Sequence, residues 1–447
     1  MSDLHQPTVR ALHRIAVGKQ SKHRIPGLYA GVVRKAKLSW GEGIGAADLA
    51  RPDVPPGPDD QFLVASNTKT FTAVMVMQLR DEGRLTLDDT LDLHLPEVKH
   101  GGLTIRQCLA HASGMQREPI GDVWETMENP DRDQLVAGFN EAERVHKPHH
   151  LFHYSNLVFS MLGEMASRLD GRSWYAAVRA RILDPLEMTR TTLGFDGPHV
   201  QGYYVPPYTD VPVMEPVVDL KALAPCGGLA STARDLARWS RFVADPVDEV
   251  LSGDTFEEMC EPQIMIDRER WIGAFGLGFM LIRSGNRVYA GHTGGMPGHI
   301  TGLFTERSTG TGGLALMNVS AAPDPAEFAI ALADLADEAD PVDPPLWRPG
   351  AELPTELAEL TGEWFSEGHR FVFSVREGHL EARADDLPEH KPSSVFEKVA
   401  EDLYRTTKGR EAGELLRVTR GPDGRVVKMN WATYLVTRQP LAFGEHP

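Results

Sequence analysis

The run Val64-Ala65-Ser66-Asn67-Thr68-Lys69-Thr70-Phe71-Thr72-Ala73 constrains this chain more than any other stretch. It continues through Val74, Met75, Met77, Gln78 and Leu79, giving a helix apolar on nearly every side. Such a helix needs cover all round and therefore runs through the middle of a domain. Ser66 and Lys69 stand at its head, three residues apart, so both side chains lie on one helical face. A helix N-terminus favours negative charge, which suits an oxyanion forming beside a nucleophile. The same four residues also describe an N-cap serine followed by a surface lysine, so the remaining sequence has to decide.

Residues 7–20 read as a helix, and residues 27–34 and 37–46 as a strand hairpin. Pro52, Pro55, Pro56 and Pro58 mark a loop. The apolar helix is expected to end at Asp81-Glu82-Gly83, with Gly83 closing it. Residues 84–115 read as short helices and turns, and 122–145 and 155–185 as helices. Strands return at 276–283, 287–293, 299–306 and 312–319, followed by a helix at 324–338. The expected fold is α+β: the first hairpin joins the late strands in one antiparallel sheet flanked by helices. The helical insertion forms a second lobe, and Ser66 lies at the seam, where small-molecule sites concentrate.

Composition shifts at Asp340. A catalytic domain is expected over 1–340, a stiff Pro-rich linker over 341–355, and a second domain over 356–447. The last reads as short strands divided by turns, a meander closing into a small barrel or half-barrel. A chain of 447 residues is long enough for two or three such cores. Its net charge of −17 argues against nucleic acid or an anionic membrane as partner. No basic, apolar leader opens the sequence and no run of 18 or more apolar residues occurs. Cys108, Cys226 and Cys260 are odd in number and far apart, as expected of reduced thiols. These features place the chain in the cytoplasm as an expectation.

Three further constellations bear on Ser66. Tyr154-Ser155-Asn156 precedes a helix, where it reads either as a phenol–amide pair or as a packing aromatic with an N-cap. Ala290-Gly291-His292-Thr293-Gly294-Gly295 reads as the end of a strand entering a turn, with glycines that admit close backbone approach. Pro225-Cys226-Gly227-Gly228 reads as a scaffolding turn. His146, His149, His150 and His153 cluster, and His149 and His153 have the spacing of a metal pair, but no carboxylate or cysteine completes a metal motif. Nucleotide-binding loops and the Gly-x-Ser-x-Gly elbow are missing from the sequence. No cofactor or metal is expected.

Taken in order, Ser66-x-x-Lys69, Tyr154-x-Asn156 and His292-Thr293-Gly294 resemble the serine β-lactamase and penicillin-binding-protein superfamily. The resemblance is strongest to its class C-like branch of esterases, D-aminopeptidases and D,D-peptidases, and covers roughly residues 10–340. Leu79-Arg80-Asp81-Glu82-Gly83-Arg84-Leu85, Leu109-Ala110-His111-Ala112-Ser113-Gly114 and Gly227-Gly228-Leu229 with Asp235-Leu236-Ala237-Arg238-Trp239 extend it. The C-terminal meander resembles the lipocalin-like domain appended to some members. Those include peptidases acting on D-amino acids and penicillin-binding-protein-type thioesterases that cyclise non-ribosomal peptides.

The resemblance implies Ser66 as nucleophile, with Lys69 and Tyr154 sharing the base role. Free lysine and tyrosine both titrate near ~10, and burial and mutual proximity would bring such a pair toward neutrality. Asn156 would orient Lys69 and the substrate amide, and His292 would orient Tyr154 or the substrate. Backbone N–H groups of Ser66 and Gly295 would form the oxyanion hole. Thr293, Gly294 and Arg438 are carried as substrate contacts, Arg438 equally readable as a solvated edge-strand charge. Where the family often has Lys-Thr-Gly, this chain has His292-Thr293-Gly294. A neutral histidine donates a hydrogen bond but supplies no fixed cation for a β-lactam carboxylate. The implied function is a hydrolase of amides or esters, including D-amino-acid peptides, acting on a free or carrier-bound substrate. The alternatives are a thioesterase that macrocyclises a peptide and a sensor that acylates once and stops.

Overall fold

The computed structural model describes residues 3–34, 37–100, 102–343, 346–350, 352–388 and 391–445. They form two compact units that divide between Val342 and Asp343. Pro344, Pro345 and Ala351 of the expected linker lie outside the described residues.

The first unit is built on an eight-stranded sheet in which every pairing is antiparallel. Lys37–Gly45 lies at one edge, beside Gly27–Arg34, and this hairpin joins Thr311–Met317 through Leu28↔Met317. His299–Glu306, Arg287–Met296, Met280–Ser284, Gly273–Phe275 and Ile264–Met265 follow in that order. Side chains alternate across the sheet. Leu28, Ala30 and Val32 pack with Leu12, Phe328 and Leu332 of the first and last helices of the unit, Gln6–Lys22 and Pro325–Ala339. Tyr29 and Val33 face the opposite side, with Phe71, Trp239 and Phe242. The sheet is thus covered on both faces.

The central helix, Thr68–Asp81, is buried at every position from Thr68 to Leu79. Its polar side chains are not stray. Thr70 Oγ1 donates to Asn67 O, Thr72 Oγ1 to Pro225 O, and Gln78 Nε2 to Val250 O, each at 2.7 Å. Buried polar groups are tolerated when bonded in this way. Among the described residues no helix is long and apolar enough to cross a membrane.

Three sequence expectations need correction. The helix expected over 122–145 is two short ones, Val123–Thr126 and Arg132–Phe139. Met127 turns left-handed at φ 57° and Pro130 keeps Asn129 out of helical geometry. The helix expected over 155–185 breaks at Gly171, φ 86°, which ends Asn156–Asp170 before Trp174–Val178 begins. The strand expected to stop at 293 runs on to Met296, so His292-Thr293-Gly294-Gly295 lies inside a strand. Pro297-Gly298 makes the turn instead, with Gly298 at φ 73°.

The second unit is an antiparallel meander of eight strands, from Gly362–Ser366 to Tyr434–Val436, each paired to the next. A bridge between Phe365 and Thr437 brings the first strand to the last, so the barrel is nearly closed. Trp364, Phe371, Phe373, Phe396 and Trp431 fill its interior. The strand Ser394–Ala400 was not anticipated, because four of its seven residues face solvent and the apolar alternation fades.

Candidate active site

Ser66 sits in a tight turn, Ala65–Asn67, that feeds directly into the central helix. From Gln61 to Leu79 it is the single residue that is not buried. Ala65, just before it, is left-handed at φ 49°, a conformation that costs an L-residue roughly 1–2 kcal/mol. The turn is stitched to the sheet. Asn67 Nδ2 donates to Thr301 Oγ1 at 3.0 Å, and Thr301 Oγ1 donates to Val64 O at 3.2 Å. Gly294 passes between them: a Cβ there would lie 2.3 Å from Val64 O and 2.4 Å from Thr301 Oγ1. Glycine is required here for close approach, not for a turn.

Lys69 is completely buried. Its Nζ lies 2.7 Å from Asn156 Oδ1, 2.7 Å from the carbonyl oxygen of Cys226 and 3.2 Å from Ser66 Oγ. It is also 4.8 Å from the centre of the Tyr154 ring. Two of its three partners can only accept. The third, a hydroxyl, can accept from an ammonium or donate to an amine lone pair.

Tyr154 and Asn156 are held by the segment 111–118. Ser155 caps the following helix by accepting from Val158 N, while its own N–H donates to His111 Nδ1 at 3.0 Å and its hydroxyl to Gln116 O at 2.7 Å. Asn156 N and Leu157 N both donate to Arg117 O. The guanidinium of Arg117 lies 4.9 Å from the Tyr154 ring centre. Asn156 Nδ2 donates to Glu118 Oε1 at 2.7 Å. The N-cap role and the phenol–amide role, alternatives in the sequence, coexist on neighbouring residues.

His292 is buried, its ring 6.0 Å from that of Tyr154. Nδ1 is 2.5 Å from Thr293 O, an acceptor, so Nδ1 carries the proton. Nε2 is a bare acceptor with no partner among the described residues. With that proton given to its own strand, His292 faces the site with Nε2 as an acceptor. Burial, reinforced by the Lys69 charge, pulls its pKa down to about 3. His111 is held well below the ordinary range, first by burial and then by Lys69. Both rings are therefore neutral neighbours of Lys69.

A cavity of about 670 Å³ opens over these groups. Ser66, Tyr154, Asn156, Thr293 and Gly295 line its polar side, with Arg117 and Glu118 beside them. Trp124, Phe152 and Met280 line its apolar side. Ser66, Lys69, Tyr154, Asn156 and His292 are brought together, with Thr293 and Gly295 at the cavity and Gly294 beneath it. Arg438 belongs to the second unit. There it donates to Glu363 O and Glu359 O and stacks 3.8 Å from the Trp364 ring centre. The histidines of 146–153 lie in a loop, and among the described residues no group of three His, Cys, Asp or Glu is placed to hold a metal ion.

Sequence reasoning missed Arg117, Glu118, Trp124, Phe152 and Met280. It also assigned Pro225-Cys226-Gly227-Gly228 to scaffolding, whereas the Cys226 carbonyl is a direct partner of Lys69. A carbonyl leaves no mark in sequence. Arg117-Glu118 did leave one, a charged pair following the 109–114 match.

Comparison with known proteins adds the following. The Beta-lactamase family model matches residues 12–338, and a domain of unknown function (DUF7586) matches residues 353–438. Protein flp of Staphylococcus aureus is 30% identical over 241 residues, 52% of this chain and 48% of that protein. The chain thus spans about half the length of the curated relatives it matches. An octameric penicillin-binding protein homologue from Pyrococcus abyssi superposes with a TM-score of 0.65 at 21% identity, covering 96% of this chain and 100% of that one. A D-stereospecific amidohydrolase from Streptomyces sp. superposes with a TM-score of 0.61 at 25% identity, covering 75% of this chain and 98% of its own.

Proposed function

The chain belongs to the Beta-lactamase family over residues 12–338, and from that premise we propose that it is a serine acyl-transfer hydrolase with Ser66 as nucleophile. The observation that carries this reading is the setting of Lys69. A neutral amine has two N–H bonds and one lone pair. Asn156 Oδ1 and Cys226 O are placed to take those two N–H bonds, and Ser66 Oγ stands at the third position, where the lone pair of a neutral amine would meet its proton. Serine needs such a base to become nucleophilic.

In the proposed reaction Ser66 Oγ attacks a substrate carbonyl while its proton passes to Lys69 or, through it, to Tyr154. Negative charge on the carbonyl oxygen is met by the N–H groups of Ser66 and Gly295; one such donor contributes ~10²–10³ in rate. Collapse breaks the bond to the leaving group, which takes the proton from the Tyr154–Lys69 pair. Water then repeats the sequence on the acyl-enzyme and releases the acid.

Amides or esters of D-amino acids are the proposed substrates. The likeness to the Streptomyces D-stereospecific amidohydrolase supports the configuration, and Trp124, Phe152 and Met280 support an apolar side chain. Neutral His292 offers no cation for a β-lactam carboxylate, so β-lactams are proposed as poor substrates. An amine replacing water as acceptor would turn the same acyl-enzyme into a cyclase or transferase.

Intact mass after treatment with a fluorophosphonate tests the nucleophile. One adduct per chain, mapped to Ser66 and lost in Ser66→Ala, is expected. An unmodified chain, or full esterase activity in Ser66→Ala, refutes the proposal. Turnover of p-nitrophenyl esters beyond one equivalent excludes a sensor that acylates and stops, and added amine acceptor separates transfer from hydrolysis.

A further inference from the structure

We infer that Glu118 is a positioning residue of this site: its carboxylate fixes which way the Asn156 amide faces and thereby holds the Lys69 amine on Ser66. The inference rests on the acyl-transfer reading above. Lys69 Nζ meets Asn156 at 2.7 Å, and a nitrogen donor requires Oδ1 there. Glu118 meets the other end at 2.7 Å, and a carboxylate requires the Nδ2 donor there. A half-turn of the amide would set nitrogen against nitrogen and oxygen against oxygen. Two opposite partners therefore lock one orientation, and Glu118 is one of them. Its own place is secured because the Arg117 carbonyl is pinned under Asn156 N and Leu157 N.

The charge of Glu118 has a role beyond that bond. Oε1 accepts from Asn156 and lies 3.3 Å from Arg117 Nε, but Oε2 is buried with no partner among the described residues. The side chain is 24% exposed, so the cost falls on the one shielded oxygen left without a partner. A neutral acceptor of the same length would orient Asn156 with less desolvation. The anion stands one amide away from Lys69, and its field reaches the Cys226 thiol.

The titratable groups around it are Lys69, Tyr154, Arg117, His111, His153, His292 and the Cys226 thiol. Burial pushes the three histidines down and the thiol up. They stay uncharged near neutrality. Under the acyl-transfer reading, the base that takes the Ser66 proton is Lys69 or Tyr154. A nearby anion favours the protonated form of either one, so removing it moves the acid limb of activity to lower pH.

The test compares wild type, Glu118→Gln and Glu118→Ala in the full chain, using p-nitrophenyl butyrate hydrolysis across pH and the rate of fluorophosphonate labelling. In Glu118→Ala the amide is free to turn, and kcat and labelling rate fall by ~10²-fold with KM unchanged. Glu118→Gln keeps the acceptor and loses the charge, so its acid limb moves down by roughly one pH unit. An alanine variant with wild-type kcat, or a loss residing wholly in KM, overturns the inference. If the alanine variant does not fold, an unshifted limb in Glu118→Gln overturns it alone. Failure of wild type itself to label at Ser66 sinks the acyl-transfer reading instead, which keeps the two failures distinct.

Discussion

At Gly294 a single methyl group would collide with the main chain that presents Ser66. The ideal Cβ falls 2.3 Å from Val64 O, and a backbone atom cannot swing aside. Gly294→Ala is expected to push the motif strand off the turn, costing about 1–3 kcal/mol of stability and most of the Ser66 labelling. Urea unfolding and fluorophosphonate labelling check both parts; an unaltered labelling rate refutes the account. The residue scale is also where the sequence spoke most clearly. Ser66, Lys69, Tyr154, Asn156 and His292 were legible because each has a side chain with distinctive chemistry. Cys226 was not, since its contribution is a carbonyl that any residue carries. Glu118 escaped because its role depends on which end of an amide it meets.

Elements were legible where an apolar run stood between turn signals. Gly27–Arg34 and His299–Glu306 are such runs, buried at all or nearly all positions, and their expected bounds match the observed strands. The reading failed at the third motif because its glycines looked like a turn while serving a close crossing inside a strand. The Arg34–Asp337 pair, which joins Gly27–Arg34 to Pro325–Ala339, was also invisible at a separation of 303 residues. Both side chains are 6% exposed and 2.6 Å apart, and Thr311 Oγ1 donates to the same carboxylate oxygen. Asp337→Ala leaves a buried guanidinium unpaired and is expected to cost about 3–5 kcal/mol. Asp337→Leu combined with Arg34→Met is expected to recover most of it, as read by urea midpoints. Acid should weaken the same unit. His292 and His299 are pulled from 6.5 to about 3, chiefly by burial. Their folded pKa lies below the unfolded one, so this stability is full above 6.5 and is lost as pH falls toward 3. Each contributes a loss of about 1.4 kcal/mol per pH unit. Denaturation at pH 7.5 and 5.5 measures it, and His299→Gln should flatten the slope.

Across the whole molecule, each unit has its own core, and the proposed catalytic groups, Ser66 through Gly295, belong to the first. Two cooperative calorimetric transitions are expected, with Ser66 labelling lost in only one. A single transition carrying the whole enthalpy would contradict independent cores. The barrel was legible as a meander, but its filled interior was not, because inward and outward aromatics look alike in sequence.

The burial of the central helix carries a practical consequence. A nucleophile in the turn that leads into a helix buried from Thr68 to Leu79 has no private way to loosen. Covalent tagging of Ser66 should therefore serve as a reporter of global integrity. On heating, the tagging rate should hold until the first unit melts and then vanish with it, whereas an early decline would reveal a site that frays alone.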